Sequence, residues 1–99
     1  MKNRTLRIAT TSQLVRAVRE AGFEPIELPA LPNADFNRTV EQRIQDGAIY
    51  RPFLEERRPD LVLDINTAAL TLVPSGADPG QFALTTSALS IPYVACFLD

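Results

Sequence analysis

The sequence of 99 residues contains no histidine, no tryptophan, one cysteine and four glycines. Without histidine, the chain cannot supply imidazole for general-base catalysis or for a catalytic triad. The single thiol, Cys96, excludes an internal disulfide, and the lack of histidine leaves a zinc ion without its usual set of ligands. We therefore expect neither a metal site nor a cofactor.

Cys96 lies inside the apolar segment 93–98, which has no cationic residue. This context predicts a buried, unreactive thiol that packs like a small hydrophobic side chain. One cysteine also favours a reducing compartment. No apolar segment has the length of a signal-peptide core or a membrane span, so the expected location is the cytoplasm, with no membrane partner.

The charge balance is close to neutral. Ten Lys and Arg residues oppose twelve Asp and Glu residues, and the net charge is −2. The basic residues are scattered or alternate with acids, so no basic stripe forms and no nucleic-acid partner is expected. A hydrophobic content of 45% in 99 residues is enough for one domain, residues 1–99, with its own core.

The segment Leu61–Ile65 is almost entirely aliphatic, without polar alternation, which is typical of a strand buried on both faces of a parallel sheet. Three further strands are predicted over residues 6–10, 23–28 and 93–98. Helices are predicted between them over residues 13–21, from about 37 to 57, and over 81–89. Ser12 is the expected N-cap of the first helix, and Gly22 its C-terminal stop.

In the second helix, the spacing of Val40, Ile44 and Ala48 predicts the face that packs on the core. Pro52 removes a backbone donor, so we expect a break or kink at residues 50–51. Pro59 should end the helix. Residues 67–80 leave two readings open, because the apolar piece 68–73 suits either a helical turn or an extra extended segment.

Strands that alternate with helices predict an α/β fold, a Rossmann-like or flavodoxin-like three-layer sandwich around a four-stranded parallel sheet. The favoured strand order is 2-1-3-4, and 3-2-1-4 is the alternative. Three helices are few for covering both faces of four strands. We therefore expect the chain to be the N-terminal part of a longer protein, or to be completed by self-association.

Candidate ligand contacts follow the strands, because α/β sheets bind ligands at the carboxyl ends of their strands. After the first strand come Thr10, Thr11 and Ser12, whose alternative role is a plain helix cap. No glycine-rich phosphate-binding motif is present there. Asn66 and Thr67 follow the third strand and could instead cap a turn. Asp99 follows the fourth.

Asp64, near the end of the third strand, occupies the place of the phosphorylated aspartate in a receiver-like domain. Such a domain also needs acidic residues after its first strand to hold a divalent cation. This chain has hydroxyl residues there. A hydrogen-bonded or solvated Asp64 is the favoured reading, and a degenerate receiver is a minor hypothesis.

Several segments together resemble the N-terminal domain of GT-B type glycosyltransferases, especially the spore-maturation-protein-like group. They are Ala21-Gly22-Phe23-Glu24-Pro25, Arg58-Pro59-Asp60-Leu61-Val62-Leu63 and Leu89-Ser90-Ile91-Pro92-Tyr93-Val94-Ala95, with Asp99 after the last strand. The resemblance departs from the family at the first turn, which lacks glycines, and at Ser90, where the family has glycine.

This resemblance implies an acceptor-side domain that lines a cleft with Thr10, Thr11, Asn66, Thr67 and Asp99. It further implies that a C-terminal α/β domain holds the nucleotide sugar, and that this chain alone is not catalytic. The competing hypothesis is a stand-alone binding or interaction module. It would bind a partner protein or a small molecule without catalysis, and a second copy of the chain or a sugar is the candidate partner.

Overall fold

The computed structural model describes residues 5–32, 38–67, 69–76 and 80–97, which form an α/β fold. Among them no helix combines the length and the apolar character needed to cross a membrane. The described residues form six strands and three helices: β1 (Arg7–Thr10), α1 (Val15–Glu20), β2 (Glu24–Glu27), α2 (Val40–Arg57), β3 (Leu61–Ile65), β4 (Leu72–Pro74), β5 (Phe82–Leu84), α3 (Thr85–Ala88) and β6 (Tyr93–Cys96).

The main sheet has four parallel strands in the order β2-β1-β3-β6. The prediction of a four-stranded parallel sheet is confirmed, and β3 has the predicted bounds. The last strand of the sheet is sixth in chain order because β4 and β5 precede it. In the numbering of the predicted strands, which did not include β4 and β5, this strand is the fourth.

The apolar core lies between α2 and one face of this sheet. Val62 at the centre of β3 is almost fully buried, as is Leu54 on α2. Around them cluster Ala9, Ile26, Leu28, Tyr50, Ala69 and Ile91. Because side chains alternate along a strand, the neighbours of Ala9 and Val62 point to the opposite face.

The opposite face is only partly covered. Helix α1 contributes Val18, which is buried, and forms an apolar cavity of about 170 Å³ with Ile8 and Leu63. Farther along the sheet, Val94 of β6 is 46% exposed. Cys96 on the same face is also exposed, so the prediction of a buried thiol is wrong. The apolar sequence around Cys96 was a poor guide because β6 is a terminal strand of the sheet with no described helix over this face.

Helix α1 begins later than predicted. Its N-cap is Leu14, with no side-chain cap, so the assignment of Ser12 as N-cap is wrong. The backbone amide of Leu14 donates to the carbonyl of Thr11 at 3.0 Å, which turns the chain before the helix starts. Gly22 follows the helix with φ of 94°, as expected for its C-terminal stop.

Helix α2 begins with a capping box, in which the Thr39 side chain accepts from the Gln42 amide and the Gln42 side chain accepts from the Thr39 amide. The predicted core face is wrong, since Val40 is 60% exposed. The buried residues are instead Asp46, Gly47, Tyr50 and Leu54. Asp46 is charged and Gly47 has no side chain, so the pattern of hydrophobic residues could not identify this face.

The helix is also continuous through Pro52, so no break occurs at residues 50–51. Burial of Tyr50 before the proline and of Leu54 after it holds both halves against the sheet and offsets the lost hydrogen bond. The helix ends at Arg57, followed by Arg58 in the left-handed region, and Pro59 prevents its continuation as predicted.

Strands β4 and β5 form an antiparallel pair, and β5 takes the place of the first part of the predicted third helix. The prediction of a helix over residues 81–89 is therefore wrong for its first half, and α3 is a single short turn. β4 lies against α2 at Gly47, where an added Cβ would overlap the carbonyl oxygen of Leu72. Of the two readings of the segment after β3, the extended one therefore holds for residues 72–74.

Gly47→Ala tests this contact. Alanine normally favours a helix over glycine by roughly 1 kcal/mol, but here its methyl group must displace the Leu72 backbone. We expect a net loss of about 1–3 kcal/mol in the free energy of unfolding, measured with urea. Ala48→Ser, at the adjacent exposed position, should cost only about 0.5 kcal/mol. A Gly47→Ala protein more stable than wild type would contradict the packing.

Candidate functional site

A cavity of about 240 Å³ opens at the carboxyl ends of β1 and β2. The loop after β1 supplies Thr11, Ser12 and Gln13, and the loop after β2 supplies residues 28–31. Tyr50 of helix α2 completes the lining. The volume is slightly below the roughly 300–1,000 Å³ of typical small-molecule sites. The lining side chains are hydroxyls, one amide and apolar groups, and none carries a full charge.

The predicted contacts after β1 have different surroundings. Thr10 is fully buried, and its hydroxyl donates to the Leu63 carbonyl at 2.8 Å. It therefore joins β1 to β3. Thr11 and Ser12 both line the cavity. The Thr11 hydroxyl oxygen is buried and has no hydrogen-bond partner among the described residues, so its donor and acceptor capacity is unused there.

The predicted contacts after β3 lie in a turn at the same edge of the sheet. Asn66 and Thr67 both adopt left-handed backbone conformations, with φ of 53° and 60°. Both side chains are half-buried and neither lines the cavity. Asp99 lies outside the described residues. The structure thus brings Thr11 and Ser12 together at the cavity and places Asn66 and Thr67 in a separate turn.

Beneath this turn lies a buried polar cluster centred on Asp64, which is fully buried. One carboxylate oxygen accepts from the Ile65 amide at 2.8 Å. The other accepts from the Ala69 amide at 2.8 Å and from the Tyr93 hydroxyl at 2.5 Å. Asp64 therefore joins β3, β6 and the following turn. This is the hydrogen-bonded role that the sequence favoured over a phosphorylation site.

Arg38 and Arg43 donate hydrogen bonds to backbone carbonyls of the same turn and of the residues that follow it. Arg38 donates to the carbonyls of Thr67 at 3.1 Å and Leu70 at 2.6 Å, and Arg43 donates to Leu70 at 2.7 Å. The Arg38 guanidinium also lies 4.0 Å from the Asp46 carboxylate, and both side chains are buried. Burial, together with the like charge of Arg43, lowers the pKa of Arg38 from its usual value.

Two tyrosines belong to this region. Burial raises the pKa of Tyr93 well above its usual value, and the hydrogen bond to Asp64 raises it further. Burial likewise raises the pKa of Tyr50, with the negative charge of Asp64 as the next cause. Tyr50 thus lines the cavity and lies within electrostatic range of Asp64. Both phenols remain protonated and can donate hydrogen bonds at neutral pH.

The side chains that line the cavity are suited to binding a small molecule. Hydroxyl and amide groups of the cavity can hydrogen-bond a polar ligand, and its aliphatic residues can pack on an apolar ring face. The described residues include no group of three histidine, cysteine or acidic side chains that could hold a metal ion.

Sequence reasoning missed Arg38, Asp46 and Tyr50. The spacing of Asp46, Tyr50 and Leu54 at i, i+4 and i+8 places them on one helix face, which was the available signal. An acidic residue in the middle of a helix is usually solvated, so the position of Asp46 gave no indication that this face is buried.

Thr11→Val and Thr10→Val form a matched pair. The Thr11 hydroxyl has no partner within the described part of the chain, so its replacement should leave the free energy of unfolding unchanged or raise it by up to about 1 kcal/mol. The same change at Thr10 should lower it by about 1–3 kcal/mol, because the bond to Leu63 is lost. Urea unfolding of both variants measures this. Equal losses would contradict the difference between the two hydroxyls.

Tyr93→Phe tests the Asp64 cluster. At neutral pH we expect a loss of about 1.5–3 kcal/mol in the free energy of unfolding, typical of a hydrogen bond to a charged group. Because the folded-state pKa of Tyr93 is raised, its stabilising contribution is complete below the unfolded pKa of about 10 and is lost as pH rises above it.

Above pH ~10 the free energy of unfolding should therefore fall less steeply with pH in Tyr93→Phe than in wild type. The loss of one titrating proton changes this slope by up to about 1.4 kcal/mol per pH unit. Urea unfolding at several pH values, with tyrosinate absorbance as the titration signal, gives the comparison. Parallel alkaline slopes in the two proteins would show that Tyr93 ionises equally in the folded and unfolded states.

Comparisons with protein-family models, with curated proteins and with solved structures found no match. The cavity and its side chains, together with the fold, are therefore what bear on function.

Proposed function

We propose that this chain is a ligand-binding Rossmann-like domain, and specifically the acceptor-side domain of a glycosyltransferase-like protein that is not catalytic alone. In this proposal β6 is the fourth strand of the expected sandwich, with α1 and α2 on opposite faces. The catalytic partner would be a C-terminal α/β domain that carries the nucleotide sugar. The expected location is the cytoplasm.

The cavity at the carboxyl ends of β1 and β2 is the observation that carries this proposal. It lies at the carboxyl ends of the strands, the edge of the sheet at which open α/β folds bind their ligands. The buried hydroxyl of Thr11, which has no partner among the described residues, is a polar group that a ligand can satisfy.

The lining also indicates the class of ligand. Thr11, Ser12 and Gln13 offer donors and acceptors on one side, and Leu28 and Leu31 offer apolar surface on the other. A neutral sugar has hydroxyls around its rim and apolar ring faces, and fits both. Among the residues that the structure describes, no charged side chain lines the cavity to neutralise a phosphate.

A second candidate function, a module that binds another protein or a second copy of the chain, is favoured by a different observation. The sheet face that carries Val94 and Cys96 is exposed, although parallel sheets normally have both faces covered. A protein that covered this face would complete the layer that α1 begins.

Titration of the 99-residue chain with D-glucose and D-galactose, followed by amide chemical shifts, tests the first proposal. We expect shifts at Thr11, Ser12 and Gln13, and smaller shifts with inorganic phosphate. Ser12→Ala should weaken sugar binding by about 3–10-fold, the effect of one hydrogen bond. Ser87→Ala, at an exposed serine within the short helix α3 and outside the cavity lining, should leave it unchanged.

Three other outcomes would count against this assignment. Shifts confined to β6 would move the ligand to the exposed face, and stronger binding of phosphate would replace the sugar with an anion. A chain that binds neither sugar and sediments as a dimer would favour the interaction module.

A further inference from the structure

We propose that Arg38 is a positioning residue that sets the turn Asn66–Thr67 in the conformation that contacts the ligand. This inference rests on the proposed function, since it concerns ligand contacts beside the same cavity. Arg38 precedes the N-cap of α2 and lies 28 residues or more from the turn along the chain.

The turn is held in an unfavourable conformation. Threonine is β-branched and rarely has a positive φ, yet Thr67 has φ of 60° directly after Asn66 at 53°. Such residues persist only where surrounding contacts impose the conformation. The sequence 66–67 contains no glycine that would adopt it without cost, so the contacts around the turn must impose it.

Hydrogen bonds from two side chains impose it. Arg38 donates to the carbonyls of both Thr67 and Leu70, and these two residues are also joined by a backbone bond of 3.0 Å from the Leu70 amide to the Thr67 carbonyl. Asp64 accepts from the Ala69 amide. One nitrogen of Arg38 therefore binds the carbonyls of Thr67 and Leu70, and Asp64 binds an amide that lies between these two residues in the sequence.

Stability alone does not explain a buried guanidinium here. The Arg38 side chain is 1% exposed and lies 4.0 Å from Asp46. Buried ion pairs are often no more stabilising than apolar pairs of similar volume, because desolvation opposes their attraction. An apolar pair would offer no donor to the Thr67 and Leu70 carbonyls. What Arg38 contributes is the geometry of the turn.

The same cluster borders the cavity. Tyr50 forms part of the cavity lining and interacts electrostatically with Asp64, Arg38 and Asp46. Asn66 and Thr67 follow the carboxyl end of β3, which pairs with β1, and β1 leads into the cavity. A ligand larger than the cavity would extend across this edge and contact the turn.

The test uses Arg38→Met together with Asp46→Asn, which removes both charges of the pair. Arg43→Met is the matched control, because it removes a single bond to Leu70. Two readouts are compared in the 99-residue chain: hydrogen exchange of the Ala69 and Leu70 amides, and the affinity for maltose, a disaccharide long enough to extend from the cavity toward the turn. We expect at least tenfold faster exchange and about tenfold weaker maltose binding in the double variant, and less than threefold changes in the control.

If the double variant fails to fold, Arg38→Lys keeps the positive charge on a shorter side chain, which moves the donor nitrogen away from the two carbonyls. The same two changes are then expected in smaller degree. Unchanged exchange at Ala69 and Leu70 in a folded variant would overturn the inference. Faster exchange with unchanged maltose affinity would overturn the positioning role and leave a structural one. A wild-type chain that binds neither maltose nor D-glucose would instead overturn the proposed function, while the exchange data decide separately whether Arg38 holds the turn.

Discussion

Burial of the Asp64 carboxylate is the interaction on which the carboxyl edge of the sheet depends. A charged group with no solvent exposure is tolerated only when hydrogen bonds replace its water. Its three partners come from β3, from the following turn and from β6. Satisfying this carboxylate therefore sets where the chain turns after β3 and which residue of β6 lies beside it.

The parts of the fold that could be predicted are those governed by uninterrupted apolar sequence and by backbone chemistry. Strand β3 and the end of α2 before Pro59 follow directly from such signals. The buried face of α2 could not be predicted in this way, because Asp46 and Gly47 lie on it. The absence of a side chain at Gly47 allows the Leu72 backbone to pack against the helix, and Asp46 lies beside the buried Arg38. Both reasons involve residues distant in the sequence.

The candidate site was predictable in location more than in composition. The rule that ligands bind at the carboxyl ends of strands pointed to Thr11 and Ser12, which do line the cavity. It also pointed to Thr10, whose hydroxyl instead joins two strands. The rule fixes which edge of a sheet is used, whereas the direction of each side chain depends on strand register. Tyr50 reaches the cavity from a helix, outside the scope of the rule altogether.

The exposure of Cys96 has a practical consequence. It is the single sulfhydryl of the chain and lies on the open face of β6, next in line to the exposed Val94 on that face. Its rate of alkylation therefore reports whether anything occupies that face, without a mutation or an added label. A slow reaction in the native protein and a fast one after dilution would reveal a reversible covering, whatever molecule provides it.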